Sequence, residues 1–209
     1  MARPKSTAPD SRDRVFAAAA AEFAARGYAG ANVDRIARAA RLNKAMIYYH
    51  FKSKAALYRE ILRDMFEAVA ARVSAAAQAP AEPAEKVRAF VDAIAIEAEA
   101  RPHFPPIWFR EIAEGGAHLD ETTVANISGI IKALGRIVHE GRAAGHFQAV
   151  NPLLVHAGIV GPLLLYFASG TLRRRLARGG VPGASMVSRD EVVAHVQRLA
   201  LMALERRTA

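Results

Sequence analysis

Apolar side chains return along most of this chain every three or four residues, the spacing of one helix face, and nowhere do apolar and polar positions alternate for long. The pattern predicts helices throughout. The first runs from a cap at Asp10 or Ser11 to about Arg26, with Val15, Phe16, Ala19 and Phe23 on one face and Gly27 as its stop. After a cap at Asn32, a short helix over 33–40 turns Val33, Ile36, Ala37 and Ala40 inward. Asn43 caps another over 44–50, and Ser53 caps a long one from Lys54 into the seventies. The prolines of QAPAEPAE, residues 78–85, end that helix, and Pro83 suits the first position of the next. Helices near 83–100, 106–114 and 119–144 follow, the first two separated by RPHFPP, and the last closed by Gly145 with Phe147. Asn151-Pro152 opens a long apolar helix to about Arg178. Beyond the loop GGVPGASMV, Ser188 and Glu191 stand at capping-box spacing before a final helix to about 206. The expectation is an all-α chain of about nine helices, without strands or internal repeats.

Charge changes this picture more than composition does. Residues 1–60 hold 12 Lys/Arg against 5 Asp/Glu, while the remaining 149 hold 17 against 15. A basic module joined to a nearly neutral remainder predicts a polyanion contact confined to one end, with nucleic acid the first candidate and an anionic membrane surface the second. Hydrophobic residues make up 52% of the chain, enough to bury a core, and there is no cysteine, which excludes disulfides, thiol catalysis and thiolate metal sites. The opening residues are polar and basic without an apolar h-region, so no secretory signal is expected and a cytoplasmic protein is.

Residues 33–51, VDRIARAARLNKAMIYYHF, carry the strongest local signal. Two short helices joined by a tight turn form a helix-turn-helix, whose second helix fits a DNA major groove of about 12 Å. Ile36, Ala37, Ala40, Leu42, Ile47 and Phe51 are expected inside, against Phe16, Phe23, Leu57 and Ile61. Lys44, Ala45, Met46, Tyr48, Tyr49 and His50 are left to face outward, because two adjacent tyrosines on a two-turn helix cannot both point inward.

The flanks extend the match. Phe23 and Gly27, Ile36-Ala37 with Ala40, and Ile47-Tyr48-Tyr49-His50-Phe51 followed by Lys54 and Leu57 resemble the TetR family of transcription regulators over residues 12–62. The resemblance implies that Tyr48, Tyr49 and Lys54 touch phosphate, and that Lys44, Ala45, Met46 and His50 face base edges. Physical chemistry agrees: hydroxyls and amides at helix N-termini bond phosphate, Lys44 suits guanine O6 or N7, and Ala45 and Met46 suit a thymine methyl. Asn43 and Arg41 join this DNA-binding set. Arg41 stands where the family usually has the turn glycine, a departure costing about 1 kcal/mol if the residue is left-handed. Either the turn differs, or Arg41 reaches a phosphate, or the strain is tolerated. Arg3 and Lys5 of the arm are placed to enter a minor groove.

The domain reading is thus a flexible basic arm over 1–9, a three-helix DNA-binding domain over 10–56, and a larger helical effector-binding and dimerisation domain over 57–209. For the effector pocket, a site for an unidentified small molecule, the large apolar side chains Phe66, Phe90, Ile94, Trp108, Phe109 and Ile112 are the candidates, with Glu111, Glu114 and His118 adding polarity. For a homodimer interface they are Leu153, His156, Val160 and Leu164 with Val193, Val196 and Leu199. The apolar run Leu153–Leu172 ahead of three arginines also has the length of a membrane span, but His156, Pro162, three glycines and the Asn-Pro start argue for a buried helix, and no membrane partner is expected. Nucleophile-elbow, phosphate-loop and metalloprotease motifs are missing, and the spacing of the histidines offers no metal site, so no enzyme, cofactor or metal is expected. The functional expectation is a repressor released from a palindromic operator in double-stranded DNA by its effector. A helical ligand-binding or scaffold protein without sequence-specific DNA binding is the alternative.

Overall fold

A computed structural model describes residues 10–206; the basic arm carrying Arg3 and Lys5 lies outside the described residues. Among the described residues ten helices follow one another: Ser11–Gly30 (α1), Val33–Ala40 (α2), Lys44–Phe51 (α3), Lys54–Gln78 (α4), Pro83–Ala100 (α5), Phe104–Ala113 (α6), Glu121–Ala143 (α7), Pro152–Ala168 (α8), Gly170–Arg178 (α9) and Arg189–Leu204 (α10). Among the described residues there is no strand, only an isolated antiparallel bridge between Phe147 and Glu205.

The caps read from the sequence are made. Asn32 Oδ1 accepts from the Asp34 amide at 2.7 Å, Asn43 Oδ1 from Met46 at 2.9 Å, and Asn151 Oδ1 from Leu153 at 2.9 Å. Ser188 and Glu191 close a reciprocal capping box, and the two Ser188 hydrogen bonds hold the Glu191 carboxyl below its ordinary range. Gly27 breaks α1 at φ 69°, ψ 176°, a backbone conformation that favours glycine, with the Arg110 side chain in van der Waals contact beside it.

One expected helix is two. The apolar helix predicted to reach Arg178 bends by 65° at Ser169, between α8 and α9. The Arg173 guanidinium donates to the Tyr166 carbonyl and to Ser169 Oγ and stacks 4.0 Å over the Tyr166 ring, so a carbonyl freed by the bend keeps a partner. Among the described residues no single helix is long and apolar enough to cross a membrane; α8 and α9 meet that test only as the bent pair.

The chain divides into two compact units. Of the described residues, the first comprises those up to Asp64 together with Pro106–Asp120, and the second comprises Met65–Pro105 and those from Glu121 onward. The unit holding the helix-turn-helix therefore extends past residue 56 and takes in a remote segment. Its core is Val15, Ala19, Phe23, Ile36, Ala37, Ile47, Phe51, Leu57 and Ile61. Phe16 and Leu42, expected inside, are only half-buried, and Val15 takes the inward place beside Ala19. In the second unit α5 is central: it packs on α7, α8 and α10 and buries Val87, Phe90, Val91 and Ile94. The Phe147 ring closes the end of α7 by lying where a Cβ on Gly141 would be, at 2.1 Å.

Candidate nucleic-acid interface

The helix-turn-helix is built by α2 and α3 resting on α1. Arg41 ends α2 in the left-handed region, at φ 55°, ψ 46°, so the turn keeps the geometry that favours glycine although arginine occupies it. The Leu42 amide reaches back to the Ala37 carbonyl at 3.0 Å and the Arg41 amide to Arg38 at 3.1 Å. Arg14, from α1, donates one guanidinium nitrogen to the carbonyls of both Ala40 and Arg41, the latter at 3.0 Å. The strained turn is thus held by its own hydrogen bonds and by a neighbouring helix, while the Arg41 side chain stays exposed.

Only Ile47 and Phe51 of α3 are buried. Lys44, Ala45, Tyr48 and Tyr49 are exposed, Tyr49 at 72% of its surface, and Met46 and His50 are half-buried. Lys44 Nζ pairs with Asp34 at 3.2 Å, which ties the start of α3 to α2. His50 Nε2 lies 2.8 Å from Ser11 Oγ, in hydrogen-bond contact at the start of α1. Lys54 stands in the first turn of α4 with Nζ 4.7 Å over the Tyr28 ring. That turn holds no acidic residue, and a cation at a helix N-terminus is disfavoured by the dipole, so a nearby anion would relieve it. One unit therefore gathers Arg41, Asn43, Lys44, Ala45, Met46, Tyr48, Tyr49, His50 and Lys54 along and beside a short exposed helix.

The other candidates are distributed differently. Phe66, Phe90 and Ile94 are buried in the second unit, whereas Trp108, Phe109 and Ile112 belong to the first, with Phe109 and Ile112 exposed. Of the interface candidates, Leu164, Val193 and Val196 are buried within their own chain, His156 and Val160 are half-buried, and Leu153 and Leu199 are exposed. Leu154 and Leu165 of α8, and Met202 of α10, which the final-helix pattern also offers to a partner, stand further out, Leu154 at 71% and Met202 at 68%. They lie at i, i+11 on α8 and i+3 from Leu199 on α10, a periodicity readable only once the inward faces of both helices are known.

The three polar residues offered to the pocket converge instead on one another and on Tyr58, which sequence reasoning did not place with them. Glu111 is fully buried and accepts hydrogen bonds from the Tyr58 hydroxyl at 2.8 Å and the His118 amide at 3.3 Å, with His118 Nδ1 at 2.8 Å. Burial, then the facing Glu111 carboxylate, push the Tyr58 phenol well above its ordinary range. The pattern offers these residues only as polar additions to a pocket; the end of α6 at Ala113 and the turn through Gly115 and Gly116, which brings His118 back onto Glu111, are visible only in the fold.

Residues 83–194 match the Tetracyclin repressor-like C-terminal domain, more than half of the chain, and residues 15–61 match the N-terminal domain of bacterial regulatory proteins of the tetR family. The chain belongs to the TetR family. It is therefore a DNA-binding transcription regulator whose helix-turn-helix is α2–α3. Its relatives include the HTH-type transcriptional repressor NicS of Pseudomonas putida, 25% identical over 198 residues that cover 94% of this chain and 93% of NicS. The HTH-type transcriptional repressor SCO4008 of Streptomyces coelicolor is 34% identical over 106 residues, 51% of this chain, and the chain spans about half, 52%, of its length. Among solved structures, the TetR family regulator PfmR of Thermus thermophilus superposes with a TM-score of 0.72 at 26% identity, covering 96% of this chain and 100% of PfmR. The ketosteroid regulator KstR2 of Mycobacterium tuberculosis shares the fold alone, with a TM-score of 0.73 at 20% identity over 98% of this chain and 100% of its own.

Proposed function

We propose that this TetR-family regulator is a homodimeric repressor that grips a palindromic operator through α3 and lets go when a small molecule occupies its second unit. The observation carrying this reading is α3 itself, a two-turn helix anchored by Ile47 and Phe51 that leaves Lys44, Ala45 and Tyr49 in solvent. In DNA, Lys44 would exchange Asp34 for a base edge, while Tyr48, Tyr49 and Lys54 would fix register on phosphates. The names of NicS and SCO4008 support repression. Dimerisation is supported by the exposed apolar side chains Leu153, Leu154 and Leu165 of α8 and Leu199 and Met202 of α10, two helices that pack on each other. An effector would act by binding better to a subunit arrangement that spoils the operator spacing, and only to the extent of that difference in affinity. The protein would work in the cytoplasm beside the DNA it reads, without a catalytic role.

Selection from a random duplex pool with the purified protein tests the reading. The expected winner is a palindrome with half-sites about one helical turn, ~34 Å, apart. Recovery of unrelated sequences without a repeated half-site would favour the scaffold alternative and end the proposal.

A further inference from the structure

We propose that Glu111, Glu114 and His118 form a binding site for a divalent transition-metal ion of the zinc class. One ligand atom from each residue lies within 4.8 Å of the others. His118 Nδ1 is 2.8 Å from Glu111 Oε1 and 3.5 Å from Glu114 Oε2, bracketing the ~3.3 Å edge of a tetrahedron with metal–ligand bonds of about 2.0–2.1 Å. One imidazole and two carboxylates suit zinc-like ions better than magnesium or calcium, and water would complete the open fourth position.

Three features beyond the donor spacing support the assignment. Glu111 is fully buried, and a second carboxylate and an imidazole converge on it, a donor group of the kind that holds a divalent cation. The donors are also held from behind. The Tyr58 hydroxyl donates to Glu111 Oε1 and the His118 amide to Oε2, the outer contacts that orient a ligating carboxylate. The His118 ring is fixed between aromatic neighbours, with centroids 4.1 Å from Tyr28 and 5.3 Å from Tyr58.

All five residues belong to the unit that carries α2 and α3. The ion would cross-link the end of α6 and the turn after it, beside Tyr58 of α4 and Tyr28 of α1, and so stiffen the DNA-binding unit. An effect of the ion on operator affinity rests on the regulator reading above; ion binding itself does not.

The test is competition between a chromophoric chelator and the full-length protein for Zn(II), after chelator stripping, with Mg(II) as contrast. One Zn(II) per chain is expected, with Mg(II) bound far more weakly. Glu114→Gln, at an exposed position where folding is spared, and His118→Gln each weaken binding at least tenfold. Tyr58→Phe, which touches no metal, weakens it about 10–100-fold through Glu111. A thermal melt with and without Zn(II) shows a stabilisation that the Glu114 variant lacks. Wild-type binding that survives in both ligand variants, or no Zn(II) uptake at all, overturns the site and leaves a plain Glu111–His118 hydrogen bond. If Zn(II) binds but no operator is selected, the regulator reading fails and the site stands. If Zn(II) binds and operator affinity does not change, the regulatory consequence falls.

Discussion

Replacing Arg41 by glycine should make this protein more stable, although it removes an entire side chain. Arg41 occupies the left-handed region at φ 55°, ψ 46°, where an L-residue's Cβ crowds the backbone at a cost of roughly 1–2 kcal/mol. Glycine avoids that cost but brings a more flexible unfolded chain, worth about 0.4–1 kcal/mol in the other direction. The folded state loses little else. Arg41 is exposed, and the hydrogen bonds of the turn run from its amide to Arg38, from Leu42 to Ala37 and from Arg14 to the carbonyls of Ala40 and Arg41, all backbone positions that glycine keeps. The net gain is about 0.5–1 kcal/mol, or about 1–4 °C in Tm if the chain melts as one and about 2–8 °C if the first unit melts alone. Arg41→Ala is the control, since it discards the guanidinium and keeps the strain. Calorimetry of the wild type and both variants should rank glycine above the other two. If Arg41→Gly melts no higher than Arg41→Ala, the backbone argument is wrong. Operator binding separates the second role: if Arg41 neutralises a phosphate, both variants lower the salt slope by about 0.9 per subunit.

Lys54→Ala should weaken binding to all DNA sequences alike and reduce the salt dependence by about one ion per subunit, read by fluorescence anisotropy at several salt concentrations; an unchanged slope removes Lys54 from the phosphate contacts. Lys44→Ala should instead change the selected sequence at one position per half-site, at a cost of about 1–3 kcal/mol for the preferred base. Leu154→Arg, at a position exposed within the subunit, should give monomers in sedimentation experiments with the helical spectrum intact; a persistent dimer would move the interface elsewhere. His156 is held neutral by burial, which lowers its proton affinity from the ordinary 6.5. The unfolded chain therefore takes up a proton that the folded chain resists, so this contribution is complete above about 6.5 and is lost as pH falls toward the lowered folded value. His156→Leu should flatten the acid limb of a stability-against-pH curve, and an unaltered limb would place the acid sensitivity in another group.

The helices and their starts were legible because local chemistry writes them: Asn32, Asn43, Asn151 and Ser188 each accept from an amide two or three residues on, and such signals need no tertiary knowledge. What stayed hidden is what distant segments decide. The break at Ser169, where Arg173 and Ser169 both donate to the Tyr166 carbonyl, is a local exception that apolar periodicity reads through. Residues 106–120 join the first unit through Arg110 at the Ala25 carbonyl at 3.3 Å, Arg63 with Asp120 at 2.6 Å, and Tyr58 with Glu111, pairings 85, 57 and 53 residues apart that no local pattern announces. The outward face of α3 was readable, since Ile47 and Phe51 leave the two tyrosines only one side to occupy. The face that α8 and α10 leave uncovered was not, because these apolar helices offer more than one hydrophobic stripe, and packing chose Leu164, Val193 and Val196 for the inside.

Both ends of α3 are closed by left-handed residues that are not glycine, Arg41 before its cap and Lys52 after it. Lys52, at φ 65°, ψ −44°, sits in a γ-turn whose Ser53 amide donates to the Phe51 carbonyl at 2.7 Å, a tight and strained reversal. With only Ile47 and Phe51 buried, burial fixes one edge of α3 and leaves its tilt and length poorly determined. The two strained turns supply what burial does not. Arg41 stops α2 so that α3 starts within three residues, and Lys52 stops α3 after two turns so that the Ser53 cap can begin α4, with Ser53 Oγ accepting from Ala56 at 3.0 Å. Strain of about 1–3 kcal/mol at each such residue is carried by the surrounding unit, through Arg14 at one end and the packing of Phe51 and Leu57 at the other. A helix that must present the same few side chains to a groove each time gains more from a fixed pose than from two relaxed turns, and that exchange is what the backbone around α3 records.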